Sequence, residues 1–228
     1  MEEEFLDFLK MVKSTPNVYL VLLGDLLDNA TKNSIASTFQ QRYRPADQKK
    51  IMATLLAPVA DRVLCGVQGN HEARSMKDAD DCPLYDIMCK LDIEDLYREN
   101  LGIVKIRMGD NKSCGDRNPT YILAVTHGAG GGALTGSAVN RNERFGYVFD
   151  GIDALITGHT HKPVVSSPSK IKIDPQNNVV SVVPFKVITA TSWLSYGGYA
   201  AKKMLLPATH NLQTMTLRGR KKEIIVTM

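Results

Sequence analysis

Four short apolar runs, VYLVLL, RVLCGVQ, TYILAVT and DALIT, each hand the chain over to residues that can bind a metal: Gly24-Asp25, Gly69-Asn70-His71, His127 and Gly158-His159-Thr160-His161. Runs this short, rich in β-formers and apolar on both faces, read as strands of a covered sheet. Ligand-bearing side chains at the carboxyl ends of such strands occupy the favoured site position of α/β sheets. A chain written this way is therefore expected to be α/β, with its chemistry gathered at strand ends.

The segments between the runs support that class. EEEFLDFLKMVK spaces Phe5, Leu6, Phe8 (or Leu9) and Val12 near helical periodicity, and Ser14 to Asn17 ends the pattern with a proline. A second helix is expected over about 45–60, opened by Pro45, and further helical regions over about 81–99 and 138–149. IVKIRMG and TYILAVT flank the polar loop DNKSCGDRNP as a hairpin. Beyond His161 the apolar segments surround the turns PQNN and GRK, so residues 162–228 are expected to be mostly antiparallel strand. No internal repeat, low-complexity tract or composition shift divides the chain, and a single domain over residues 1–228 is expected.

Charge excludes little. Lys plus Arg number 28 against 24 Asp plus Glu, a net +4 that suits an anionic substrate but does not identify a nucleic-acid binder. The apolar runs are too short to cross a membrane, and the acidic start MEEEFLDFLK is unlike a secretory signal, so a cytoplasmic protein without a membrane partner is expected. Cys65, Cys82, Cys89 and Cys114 form no CxxC pair and read as reduced thiols.

Asp25, Asn70, His127, His159 and His161 are oxygen and nitrogen donors of the kind that divalent metals take. Singly, GDLLD reads equally well as a turn or helix cap, GNHE as a turn and GHTH as a solvated loop. Together they occur once each, in order, and use four of the five histidines. In that combination the chain resembles the calcineurin-like metallophosphoesterases, from about Glu2 to His161. The resemblance implies a four-layer α/β/β/α sandwich of two mixed sheets flanked by helices. It also implies a dinuclear centre of two divalent ions (Mn, Fe, Zn, Ni or Ca, with Mn favoured), and hydrolysis of a phosphodiester or phosphomonoester by metal-bound hydroxide.

By that resemblance Asp25 bridges the two ions, Asn70, His127 and His159 complete one site, and His161 belongs to the other. His71 resembles the family's catalytic histidine, which assists the leaving group, and Asp28 its carboxylate partner; a helix cap is the plain alternative for Asp28. Arg74, and more weakly Arg141 and Arg144, are candidates to clamp a substrate phosphate, and for Arg74 a solvated loop arginine is the alternative. The GAGGG loop after His127 lacks the lysine and Ser/Thr of a P-loop, which rejects a nucleotide-triphosphatase, and reads as a lid or tight passage. WLSYGGYA, with Trp193, Tyr196 and Tyr199, offers either stacking surfaces or closure of a core, and RGRKK either a nucleic-acid contact or a solvated hairpin tip.

The family's opening DxH motif is absent, since the first histidine is His71. That removes two ligands from the site His161 would share, and with them a first strand. Three explanations stay open: a chain that has lost its front end, which is favoured and leaves one metal site incomplete, a start assigned too late, or a protein that works with one metal or none. The functional expectation is a metal-dependent phosphoesterase acting on a phosphoester, including a nucleotide or nucleic acid, with a nuclease and a non-catalytic metal-binding scaffold as the rivals.

Overall fold

A computed structural model describes residues 2–32, 34, 38–109, 118–130, 132, 134–194 and 212–228. Most of the expected loop DNKSCGDRNP, with Cys114, and the candidate stacking residues Tyr196 and Tyr199 lie outside the described residues. The chain divides into two compact units, Met1–Gly102 with Val125–His127 and Trp193–Leu205, and Ile103–Ala124 with Gly128–Ser192 and Leu206–Met228.

In the first unit, helix α1 (Glu2–Ser14) leads to strand β1 (Leu20–Leu22), helix α2 (Pro45–Leu56), strand β2 (Val63–Val67), helices α3 (Glu72–Ala79) and α4 (Pro83–Lys90), and the two-residue strand β3 (Tyr97–Arg98). β1 and β3 pair in parallel on either side of β2. The expected second helix runs α-helical only to Leu56 and continues as a 3₁₀ segment, Ala57–Arg62. Pro58 is the physical reason, because it has no N–H with which to continue the α-helical ladder.

The single helical region expected over 81–99 is instead α4, a 3₁₀ turn (Glu94–Leu96) and β3, and α3 precedes it. Asp80 closes α3 in the left-handed conformation, φ 52°, and Pro83 opens α4 in its first turn. Leu9 and Val12 of α1, Leu20 and Leu22 of β1, Leu56, Val59 and Val63 pack one core with Ile87 of α4. Trp193 packs edge-on against Phe5, ring centroids 5.3 Å apart, and against Phe8 at 5.6 Å, so this aromatic extends the α1 core.

The second unit holds a five-stranded sheet of order β4 (Leu101–Arg107), β5 (Thr120–Thr126), β6 (Ala154–Thr157), β10 (Lys186–Thr189) and β7 (Val164–Ser166). It is mixed: β10 runs parallel to β6 and antiparallel to β7. Strand β5 ends at Val125–His127 in the first unit. Helix α5 (Thr135–Gly146) starts three residues before the expected 138–149.

Not all of residues 162–228 joins that sheet. Among the described residues, β8 (Ser169–Asp174) and β9 (Val179–Pro184) pair only with each other, as do β11 (Thr214–Leu217) and β12 (Ile224–Thr227). Pro168 and Pro184 stand where the chain leaves and re-enters the sheet, and neither can donate to a ladder. The RGRKK tip is tied down: the Tyr121 hydroxyl donates to the Arg218 carbonyl at 2.6 Å, and Lys222 pairs with Asp153 at 2.6 Å. Cys65, Cys82 and Cys89 are free thiols. Among the described residues no helix is long and apolar enough to cross a membrane.

Candidate metal centre

The loops that leave β1 and β2 touch backbone to backbone. A β-carbon on Gly24 would lie 2.4 Å from the Gly69 nitrogen, and one on Gly69 would lie 2.2 Å from both the nitrogen and the Oδ1 of Asp25. Glycine is required at both places for contact alone, and at Gly24 also for its φ of +79°. Asp25 follows in the left-handed region, φ 53°, which a short polar side chain tolerates. This close approach sets Asp25 beside the Gly69-Asn70-His71 segment, and Asp25 Oδ1 accepts the His71 N–H at 2.9 Å.

His127, delivered by the end of β5 and 8% exposed, completes the cluster in the first unit. Its Nδ1 lies 2.5 Å from the carbonyl oxygen of Leu23. A carbonyl only accepts, so Nδ1 carries the hydrogen, and in the neutral ring the lone pair sits on Nε2. That nitrogen is 3.0 Å from Asn70 Oδ1 and 3.4 Å from Asp25 Oδ2. Three electron-rich atoms thus face one another, an arrangement that calls for positive charge between them: a proton on Nε2 or a cation.

Electrostatics agree with that geometry. Burial by itself would raise the Asp25 carboxyl, but the hydrogen bond and charge of His127, with the charge and backbone N–H of His71, bring it down to about 2. Burial likewise opposes protonation of His127, yet Asp25 and the Leu23 carbonyl hold its pKa above the ordinary 6.5. One amide oxygen, one carboxylate oxygen and one imidazole nitrogen make a donor set that fits a first-row divalent ion.

His71 is held differently. Its ring stands between two carboxylates, Nε2 3.8 Å from Asp25 Oδ2 and Nδ1 3.9 Å from Asp28 Oδ1. Both distances exceed a hydrogen bond, so the expected Asp28–His71 hydrogen bond is not made here. The half-exposed Asp28 side chain leaves the loop outward, while Arg74 donates from Nη1 to the Asp28 carbonyl at 2.9 Å. Arg74 is thereby tied to the backbone of the GDLLD loop rather than free in solvent. The buried Asn29 donates from Nδ2 to the His71 carbonyl and to Ser75 Oγ, both at 2.9 Å, and fixes the start of α3.

In the second unit, His159 and His161 follow β6 with φ of 62° and 56°. Left-handed backbone is uncommon for histidine, and strain of this kind collects at functional sites. Thr157, just before this loop, is anchored by the buried Asn142, whose Nδ2 donates to the hydroxyls of Thr157 at 2.9 Å and Thr189 at 2.8 Å. Arg141 donates to the Ala129 carbonyl at 2.6 Å and packs where a β-carbon on Gly130 would stand. The described part of the GAGGG loop is therefore a tight passage around Arg141. Arg144 is exposed in the last turn of α5.

One residue the sequence reading passed over is Glu72. Although it follows His71 directly, its side chain is fully buried, and its oxygens accept N–H groups from Asp25 at 2.9 Å, Leu26 at 2.7 Å, Gly69 at 3.1 Å and, more weakly, Leu27 at 3.4 Å. Burial and the nearby Asp25 charge raise its pKa, while the backbone N–H groups oppose the rise. An acidic residue at the first position of a helix, immediately after two glycine-rich strand ends, was the signal available. Asn29 was missed as well, and only its neighbours across the fold reveal it.

A family model for calcineurin-like phosphoesterases matches residues 2–163, a span that contains every candidate ligand and both loops just described. No curated protein and no solved structure gives a significant match. The match covers well over half of the chain, and the mixed α/β framework is consistent with this family. The chain belongs to the calcineurin-like phosphoesterase family.

Proposed function

We propose that the protein hydrolyses phosphoesters with a divalent cation held by Asp25, Asn70 and His127, and that His159 and His161 take the ligand roles the family motif gives them. One observation carries this reading: Asp25 Oδ2, Asn70 Oδ1 and His127 Nε2 face one another while Nδ1 of the same imidazole is committed to the Leu23 carbonyl. A bound divalent ion supplies Lewis acidity and lowers the pKa of water toward neutrality, and a pair of ions stabilises both the entering and the departing oxygen. Manganese is the ion we favour and two the stoichiometry, with Asp25 among the residues that would hold them.

The chain's own groups do the rest. Asp25, ionised at any ordinary pH, provides the negative charge that fixes the cation. His71 gives a proton from Nε2 to the departing ester oxygen, with Asp28 on the Nδ1 side of the ring. Arg74 spends Nη1 on the Asp28 carbonyl, which leaves its remaining N–H groups for a phosphate oxygen.

The test is metal content measured together with hydrolysis of bis-p-nitrophenyl phosphate and p-nitrophenyl phosphate in Mn²⁺. Bound metal and Mn²⁺-dependent turnover of either ester supports the reading, and the preferred ester names the class. Metal without turnover of either ester replaces it with the non-catalytic metal-binding module; salt-sensitive cleavage of DNA or RNA makes the enzyme a nuclease.

A further inference from the structure

The two loops that bring Asp25 and Asn70 together present many backbone N–H groups to a buried space. Four of these, on Asp25, Leu26, Leu27 and Gly69, point at one carboxylate. The division of labour is specific. Glu72 Oε1 takes Leu26 and Leu27, on the β1 side, whereas Oε2 takes Asp25 and Gly69 and so joins the two loops. Glu72 is the first residue of α3, where the helix dipole favours a negative charge, and Asn29 anchors the same helical turn through the His71 carbonyl.

We infer that Glu72 is the positioning residue of the metal centre: its carboxylate staples the Asp25 and Gly69-Asn70 loops together, so that their two ligand atoms are set at the right separation before any metal arrives. The inference rests on the metal reading above. Glu72 touches neither cation nor substrate in this role and acts wholly through the ligands. Neutral amides converging on a single anion also explain how a fully buried carboxylate is tolerated with no Arg or Lys partner among the described residues, because each N–H bond to a charged acceptor is stronger than a neutral one.

Glu72→Gln keeps the shape and replaces one acceptor oxygen with an NH₂ group that meets N–H donors: at the Oε2 place it opposes the Asp25 and Gly69 donors that join the two loops, and at the Oε1 place those of Leu26 and Leu27. The expected result is a Kd for Mn²⁺ raised about 10–100-fold, the range seen when groups supporting metal ligands are removed. Phe185→Ala, a core truncation 3% exposed in the separate hydrophobic cluster of the second unit, is the control: it lowers the melting temperature and leaves the Mn²⁺ Kd unchanged. If Glu72→Gln loses melting temperature but binds Mn²⁺ as tightly as the parent, Glu72 is merely structural and the inference is overturned.

A second measurement needs no variant. In the metal-free parent protein, the amide hydrogens of Asp25, Leu26 and Gly69 are expected to be protected from exchange as strongly as after Mn²⁺ is added; free exchange that becomes slow only with Mn²⁺ overturns a preset staple. A parent that binds no Mn²⁺ removes the metal reading, and the protection of these amides then still reports separately on the staple.

Discussion

The end of β5 and the start of α3 each present a histidine to the same carboxylate, Asp25, and the two are held in opposite ways. His127 is buried, its tautomer fixed by the Leu23 carbonyl and its Nε2 aimed at Asn70 and Asp25. His71 is held by its backbone, through its N–H to Asp25 and its carbonyl to Asn29, while its ring stands nearly 4 Å from each neighbouring carboxylate. The first arrangement suits a ligand, which must present one lone pair in one direction. The second suits a proton donor, which must be near the site yet able to change its bonding during a reaction.

The sharpest way to break that contrast is to delete each imidazole in turn. His127→Ala is expected to remove the bound Mn²⁺ and with it all metal-dependent hydrolysis. His71→Ala is expected to lower kcat by about 10²–10⁴-fold, the usual worth of a general acid, with metal content unchanged. Paired metal analysis and steady-state kinetics read both; a His71→Ala protein that turns over like the parent, or that loses its metal, would erase the distinction.

Arg74→Ala is smaller in effect. Loss of a charged donor from a phosphate is worth about 1.5 kcal/mol, roughly tenfold in KM. A fall in kcat at constant KM would instead confine Arg74 to holding the Asp28 loop, and through it the surroundings of His71.

The gentlest probe is the pH dependence of melting in the metal-free protein. His127 is raised above 6.5 in the folded chain, so its contribution is complete below that pH and fades as pH rises through the folded value. Asp25 is lowered from 3.8 to about 2, so its contribution is complete above 3.8 and fades as pH falls toward 2. Stability from this pair should therefore peak between pH 3.8 and 6.5 and decline on both sides, and His127→Gln should flatten the alkaline limb. A parent whose melting temperature climbs with pH through the alkaline limb would mean that His127 is neutral in the metal-free protein.

The helices and strands were legible to differing degrees. α1 was visible in its apolar periodicity, and β1, β2, β5 and β6 in runs that close on Gly, Gln or Thr. The helical region expected over 81–99 is cut short after Lys90, where Asp92 is left-handed at φ 55°, and Tyr97 and Arg98 take a strand beside β2 that local propensity does not specify. The fate of β8 and β9 was also obscure. Their alternation predicts strands correctly, but Ile171, Ile173, Val180 and Val182 remain 68–73% exposed on a ribbon outside the main sheet. Periodicity reports that a segment is extended; it does not report which strand it joins.

The sequence by itself determined the order of candidate ligands and their location at strand ends, because a buried strand, its terminating glycine and the next polar residue are neighbours along the chain. Only the tertiary structure decided how those ligands are held. The Leu23 carbonyl that sets the His127 tautomer is 104 residues away in sequence, and the amides stapled by Glu72 are up to 47 residues away. Arg74 reaches the Asp28 carbonyl across 46 residues. Hydrogen bonds at such separations follow no local spacing; they exist only once Gly24 and Gly69 have let two loops meet.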